Sequence, residues 1–227
     1  MKSKDRTYQV VAIVGLIIGV MALTIGFAAF TTTLTISSAA DVTPAATTLD
    51  VVFSTSSSSA VTGTVTGVAT GETGATAGNA TLAATTVSGI SAHFTKPGQT
   101  VTYTFNVYNN SAYLAYLTEI VFKNASGESA FKVCKAKSGS SNPATNDITT
   151  ACNGITLTLT VDGLETTTSK TPSEIAAYSG NKTIAATTGK TVTVVITYAS
   201  GSSVPDGDIE VAFGDIDLKY SSVAPTA

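Results

Sequence analysis

Tryptophan is absent from this chain of 227 residues, and histidine occurs once, at His93. A single histidine excludes the HExxH zinc helix and other histidine-rich zinc sites. Charge is also scarce: 12% of residues are charged, against about a quarter in average globular chains. A net charge of −3 leaves no basic patch of the kind a nucleic-acid binder needs, so no nucleic-acid partner is expected. Neither a GxSxG nucleophile elbow nor a phosphate-binding P-loop occurs. The chain is therefore read as a non-enzyme, with no catalytic residue, no metal and no cofactor. The remaining chemical candidates are the acid pairs Asp206-Gly207-Asp208 and Asp215-Ile216-Asp217, whose carboxylates suit calcium. Only the first lies in a turn, and it lacks the further ligands of an EF-hand loop, so both read as solvated acids.

What is present is mostly Thr, Ser, Ala, Val and Gly, and apolar residues reach 43%. Thr and Val are β-branched and suit half-buried pleated surfaces. The start of the chain has a different character. Lys2, Lys4 and Arg6 precede an uncharged run over residues 10–30. That run is about 21 residues, roughly 30 Å as a helix, enough for a membrane span. A basic start before an apolar run marks a signal peptide or a signal anchor. The basic end stays cytoplasmic, which places the rest outside.

Small residues before a cut favour signal peptidase, and Gly26-Phe27-Ala28 before Ala29 fits, with cleavage between Ala28 and Ala29. Ser37-Ser38-Ala39 before Ala40 is a second candidate. If uncleaved, residues 10–30 hold the chain in the membrane. No lipobox cysteine, sorting tail or second hydrophobic span is seen, and the chain ends in Ala224-Pro225-Thr226-Ala227. The expected plan is a signal or anchor over 1–30, an extended arm over 31–48 and an extracellular β domain over 49–227. The expected location is secreted, or the outer face of the cytoplasmic membrane.

Cys134 and Cys152 lie in a loop-like region, separated by residues that include Ser, Gly, Asn and Pro. Outside the reducing cytosol such a pair reads as a disulfide. Closing a loop of that size is worth about 3 kcal/mol in the chain-entropy model. The spacing is far from CxxC, and no second pair exists to complete a metal site.

Leu49-Asp50-Val51-Val52-Phe53 is the expected first strand, broken from Ser54 onward. Residues 60–88 are Thr, Gly, Ala and Val; Val61, Val65 and Val68 hint at weak strands interrupted by Gly63 and Gly67. Two readings stay open for this segment, a long hairpin or a partly disordered loop, with the glycines arguing for low stability. His93 next to Phe94 is read as structural, at a strand edge. Lys96-Pro97-Gly98-Gln99 is a turn. Over residues 100–108, Val101, Tyr103, Phe105 and Val107 alternate with polar residues, the period of a strand with one buried face. Asn109-Asn110-Ser111 closes it. Further strands are expected over 116–123, 155–162, 191–198 and 209–220, with turns at Asp162-Gly163 and Pro205-Asp206-Gly207. Residues 172–178 are the one short helix expected outside the membrane segment, with Ser173 as its cap. The fold class is all-β: an antiparallel sandwich or jelly roll behind an N-terminal hydrophobic helix.

The block from Phe94-Thr95-Lys96-Pro97-Gly98-Gln99 through Thr100-Val101-Thr102-Tyr103-Thr104-Phe105-Asn106-Val107-Tyr108 to Asn109-Asn110-Ser111 resembles a segment of the TasA and camelysin-like proteins. In them a Lys-Pro-Gly turn leads into a strand ending Asn-Asn-Gly or similar. The hydrophobic segment ending Ala28-Ala29-Phe30 and the later Thr48-Leu49-Asp50 are similar too. The tail Gly214-Asp215-Ile216-Asp217-Leu218-Lys219-Tyr220 is similar to a group of exported proteins with related signals. The likeness covers about a third of the chain, in short motifs. It implies a jelly-roll subunit that polymerises into extracellular matrix fibres, in which the mature N-terminus acts as a donated strand. This chain departs from the pattern in its low charge, its cysteine pair and its Thr-rich 60–88 region. Camelysin-like proteins have also been linked to metalloprotease activity, for which this chain offers no zinc triad.

Two functional classes remain. The first is a structural subunit of the cell surface or matrix, with copies of itself and matrix components as partners. Phe30, Thr32, Leu34 and Ile36 lie on one face of a potential strand directly after the first cleavage site, with Thr31, Thr33 and Thr35 on the other. Such a strand needs a sheet edge, its own or a neighbour's. The second is a membrane-anchored monomeric module that binds glycan or protein through exposed tyrosines such as Tyr113, Tyr116 and Tyr178. Asn79, Asn109, Asn124 and Asn181 each begin an N-x-[ST] triplet, which arises by chance in a chain this rich in Ser and Thr and matters only in a suitable secretory setting.

Overall fold

Alternating apolar residues set the register of the central sheet. The structure, a computed structural model, describes residues 49–137, 144–202 and 207–226. The signal or anchor, the Ala28/Ala29 cleavage site, the segment with Phe30, Thr32, Leu34 and Ile36, and the Pro205-Asp206 part of a turn lie outside the described residues. Within Gln99–Asn109 (β8) the side chains of Val101, Tyr103, Phe105 and Val107 are buried. Thr188–Tyr198 (β14) pairs antiparallel with it and sets Ile196 opposite Val101, Val194 opposite Tyr103 and Val192 opposite Phe105. Ile155–Val161 (β11) continues the same face with Ile155, Leu157, Leu159 and Val161. Leu164–Thr166 (β12) returns beside β11 through Asp162-Gly163, both at positive φ, as the sequence predicts for a two-residue hairpin turn. On the far flank of β8, Val51–Ser54 (β1) and Val68–Gly71 (β3) pair with different stretches of that strand.

Two further antiparallel sheets complete the domain. One runs Thr183–Ile184 (β13), Ala115–Phe122 (β9), Ile216–Ser221 (β16), Thr86–Ser88 (β6), Asn79–Ala83 (β5), Gly63–Thr66 (β2). The other runs Lys132–Ala136 (β10), Ile209–Phe213 (β15), Ser91–Phe94 (β7), Thr76–Ala77 (β4). The chain passes from one to the other at Ile90 and at Gly214-Asp215, where Phe213 N–H donates to Ile90 O at 3.0 Å and Lys123 N–H to Asp215 O at 2.9 Å. Gly214 is required there, because a Cβ would overlap the Lys123 carbonyl. Among the antiparallel sheets there is one curled half-barrel. Leu82, Val87, Phe94, Leu117, Ile216 and Val211 belong to the same core as the first sheet. Fully burying each such side chain stabilises the fold by about 1.5–3 kcal/mol. All described residues fall within one compact unit, Pro44–Ala227. No helix among them is long and apolar enough to cross a membrane.

Several expectations need correction. The segment 60–88 carries five short strands, β2 to β6, which pair in three different sheets, so it is neither one long hairpin nor an unpaired loop. Gly67 does not weaken it by chance: a Cβ there would come within 2.7 Å of Ala77 and 2.8 Å of the Tyr103 ring. The helix at Pro172–Ala177 is capped by Thr171, not Ser173, in a reciprocal capping box with Glu174. It is not the only helix among the described residues: Thr145–Asn153 (α1) precedes it, making Pro172–Ala177 α2. α1 lies in the cysteine loop, where Thr, Asp and Asn argue against helix; burial of Ala151 against the core and the tie at Cys152 override that weak propensity. His93 is not at a strand edge, since β7 is flanked by β15 and β4. Of the three tyrosines expected to be exposed, only Tyr113 is; Tyr116 is half-buried and Tyr178 packs against the core.

Candidate functional site

Among the described residues, β10 and β11 each have a flank that no strand covers. β12 covers β11 only over Leu159–Val161, so residues 155–158 have an open flank. Among the described residues, β10 pairs with β15 on one side only. The ladder alternation decides which backbone groups face these flanks. Ala199 N–H donates to Gly154 O at 2.9 Å, so the N–H and C=O of Ile155 and Leu157 point away from β14. Gly214 N–H donates to Phe131 O at 2.7 Å, so those of Lys132, Cys134 and Ala136 point away from β15.

Between the flanks lies a groove of about 190 Å³, lined by Phe131, Lys132, Ile155, Leu157, Thr167 and Phe213 among others. Its floor is aromatic: the Phe131 and Phe213 rings are 5.4 Å apart, and Phe122 stacks on Phe131 at 4.7 Å. One side chain occupies the polar rim. Lys132 Nζ donates to Cys152 O and to Ile155 O, each at 2.6 Å. Burial holds its ammonium below the usual lysine value. The Leu157 backbone groups have no such substitute partner among the described residues. At one end of the groove, α1 is tied to β10 by a bond between Cys134 and Cys152, with Cα atoms 5.9 Å apart. The cysteines therefore frame the gap and leave no thiol for chemistry. Sequence reasoning identified the pair but missed Lys132, which carries no motif and gains meaning only beside the open flank of β11.

The other residues considered from sequence are engaged elsewhere. His93 Nε2 lies 3.0 Å from Asp208 Oδ2, and Nδ1 lies 3.2 Å from Thr76 Oγ1 and 3.3 Å from Lys137 Nζ. Nδ1 ties the ring to β4 and to the residue after β10, while Nε2 approaches Asp208 without making a hydrogen bond. Asp217 accepts from Lys123 at 2.6 Å and from Thr86 at 2.8 Å. No cluster of three His, Cys, Asp or Glu side chains among the described residues is placed to hold a metal. No protein-family model, curated protein or solved structure matches the chain.

Proposed function

We propose that this chain is an exported structural subunit of the cell surface or extracellular matrix. In this reading the domain is a jelly-roll-like antiparallel sandwich that polymerises by strand donation. The observation that carries it is the seam between β10 and β11: backbone groups without a strand partner lie beside an apolar groove. An extended segment with one apolar face satisfies both needs, pairing its backbone with the open flanks and burying alternate side chains. The segment with Phe30, Thr32, Leu34 and Ile36 has that pattern. Residues 37–48 then act as a tether, able to reach about 3.3 Å per residue. Donation from copy to copy is a head-to-tail contact that does not close on itself and so builds filaments.

Deleting residues 29–37 from the mature protein tests this. The expected product is a folded monomer that forms no filaments by electron microscopy, beside a full mature chain that does. Normal assembly of the truncated protein, or no assembly of the full mature chain, would overturn strand donation.

A further inference from the structure

The four Asn-x-Ser/Thr triplets are held in four different ways. Asn109 is fully buried: its Nδ2 donates to Tyr113 O at 2.6 Å and Ile184 O at 3.0 Å, while its Oδ1 accepts from Ser111 Oγ at 2.6 Å. Asn79 sits on β5, inside its sheet, and accepts from Thr66 Oγ1 at 2.8 Å. Asn124 is exposed in the loop after β9, with no hydrogen bond between it and Ser126 among the described residues. Asn181 differs from all three. It is exposed in the loop between α2 and β13, and its Oδ1 accepts from Thr183 N at 3.0 Å and Thr183 Oγ1 at 2.9 Å.

That turn separates the triplet into an inner and an outer part. The middle residue, Lys182, reaches inward, where its Nζ donates to Ile175 O at 3.0 Å, Ala176 O at 2.7 Å and Tyr178 O at 2.9 Å, closing the end of α2. Asn181 and the Thr183 hydroxyl remain together outside. The carbonyl oxygen of the Asn181 amide is occupied, and its Nδ2 has no protein acceptor among the described residues.

We propose that Asn181 is an attachment site for an N-linked glycan. The co-substrate is a sugar carried on a lipid phosphate or pyrophosphate. The Asn181 Nδ2 forms a bond to the anomeric carbon, the bond from that carbon to the phosphate oxygen breaks, and the lipid phosphate leaves with the electron pair. The amide proton passes to a base of the transferase. A glycan at this position stands clear of the core, so attachment breaks no contact of the fold. It also stands beside β13, the short outermost strand of its sheet, and shields that edge from stray pairing. The inference rests on export, the first half of the proposed function, and not on polymerisation.

The test is peptide mass spectrometry on the full mature protein taken from the surface fraction of its native cells. The peptide with Asn181 is expected to gain whole sugar residues, while the peptide with Asn109 gains none. The gain should vanish in Asn181→Gln and Thr183→Ala and persist in Thr183→Ser. Retention of the Cys134–Cys152 link in each variant shows that it folds. Surface protein with an unmodified Asn181 overturns the glycan site and leaves export standing. Recovery of unmodified protein only from the cytosol overturns both.

Discussion

Lys132 does work at the seam that its place in the sequence does not announce. The amine lies against two carbonyls, Cys152 O at the end of α1 and Ile155 O on the open flank of β11. A buried carbonyl without a donor costs about 1–3 kcal/mol, and an amine at hydrogen-bond distance removes that cost. Lys132→Met keeps the stem and deletes both bonds. The variant is expected to lose about 1–3 kcal/mol of monomer stability, read as a lower urea midpoint with an unchanged slope. An unchanged midpoint would show that solvent satisfies both carbonyls equally well.

Among the elements, α1 depends most on a long-range tie. Its residues are indifferent helix formers, and Ala144 at its start makes no side-chain cap. The helix is held by burial of Ala151 and by the link from Cys152 to β10. α2 is the contrasting case, since Thr171, Pro172 and Glu174 supply its start within the local sequence. Replacing Cys134 and Cys152 with Ser is expected to cost about 2–4 kcal/mol and to release α1 first. Hydrogen exchange should show amides of residues 145–153 losing protection while those of β8 and β14 keep theirs. Equal loss everywhere would mean that the bridge stabilises the domain only as a whole.

For the whole molecule, buried tyrosines set the response to base. The hydroxyl of Tyr220 is buried without a partner, and burial first, then the Asp162 carboxylate, push its pKa well above the usual value. Burial raises Tyr103 and Tyr198 as well. A group whose folded pKa is raised holds its proton more tightly in the fold. Its contribution is complete below the ordinary tyrosine value of about 10 and is lost as pH climbs above it. Lys132 acts in the opposite sense: its folded pKa is lowered, so the fold gains stability as pH rises toward the ordinary lysine value. Lys123, raised by its bond to Asp217, acts with the three tyrosines, and against the one lowered lysine the net is a fall. Denaturation midpoints should therefore drop above about pH 10, and Tyr220→Phe should lessen the drop without destabilising the protein at neutral pH. A flat profile to high pH would contradict this.

Period-two alternation made the main strands legible from the residues alone. In β8 and β11 every second side chain is apolar, and a one-residue slip would expose the whole set. The Asp162-Gly163 turn and the cysteine pair were equally readable, the one because positive φ favours those residues and the other because no third cysteine competes. Residues 60–88 gave only a hint of weak strands, because their glycines look like breaks until Tyr103 is packed against Gly67. α1 was hidden because its stability comes from Ala151 and Cys152 meeting residues far along the chain. The seam was beyond local reading too. Whether a backbone group is paired depends on which strand lies beside it, and the flanks of β10 and β11 are set by sheet order. Asn181 and Asn109 share one triplet pattern, and only their opposite burial, decided by the tertiary fold, tells them apart.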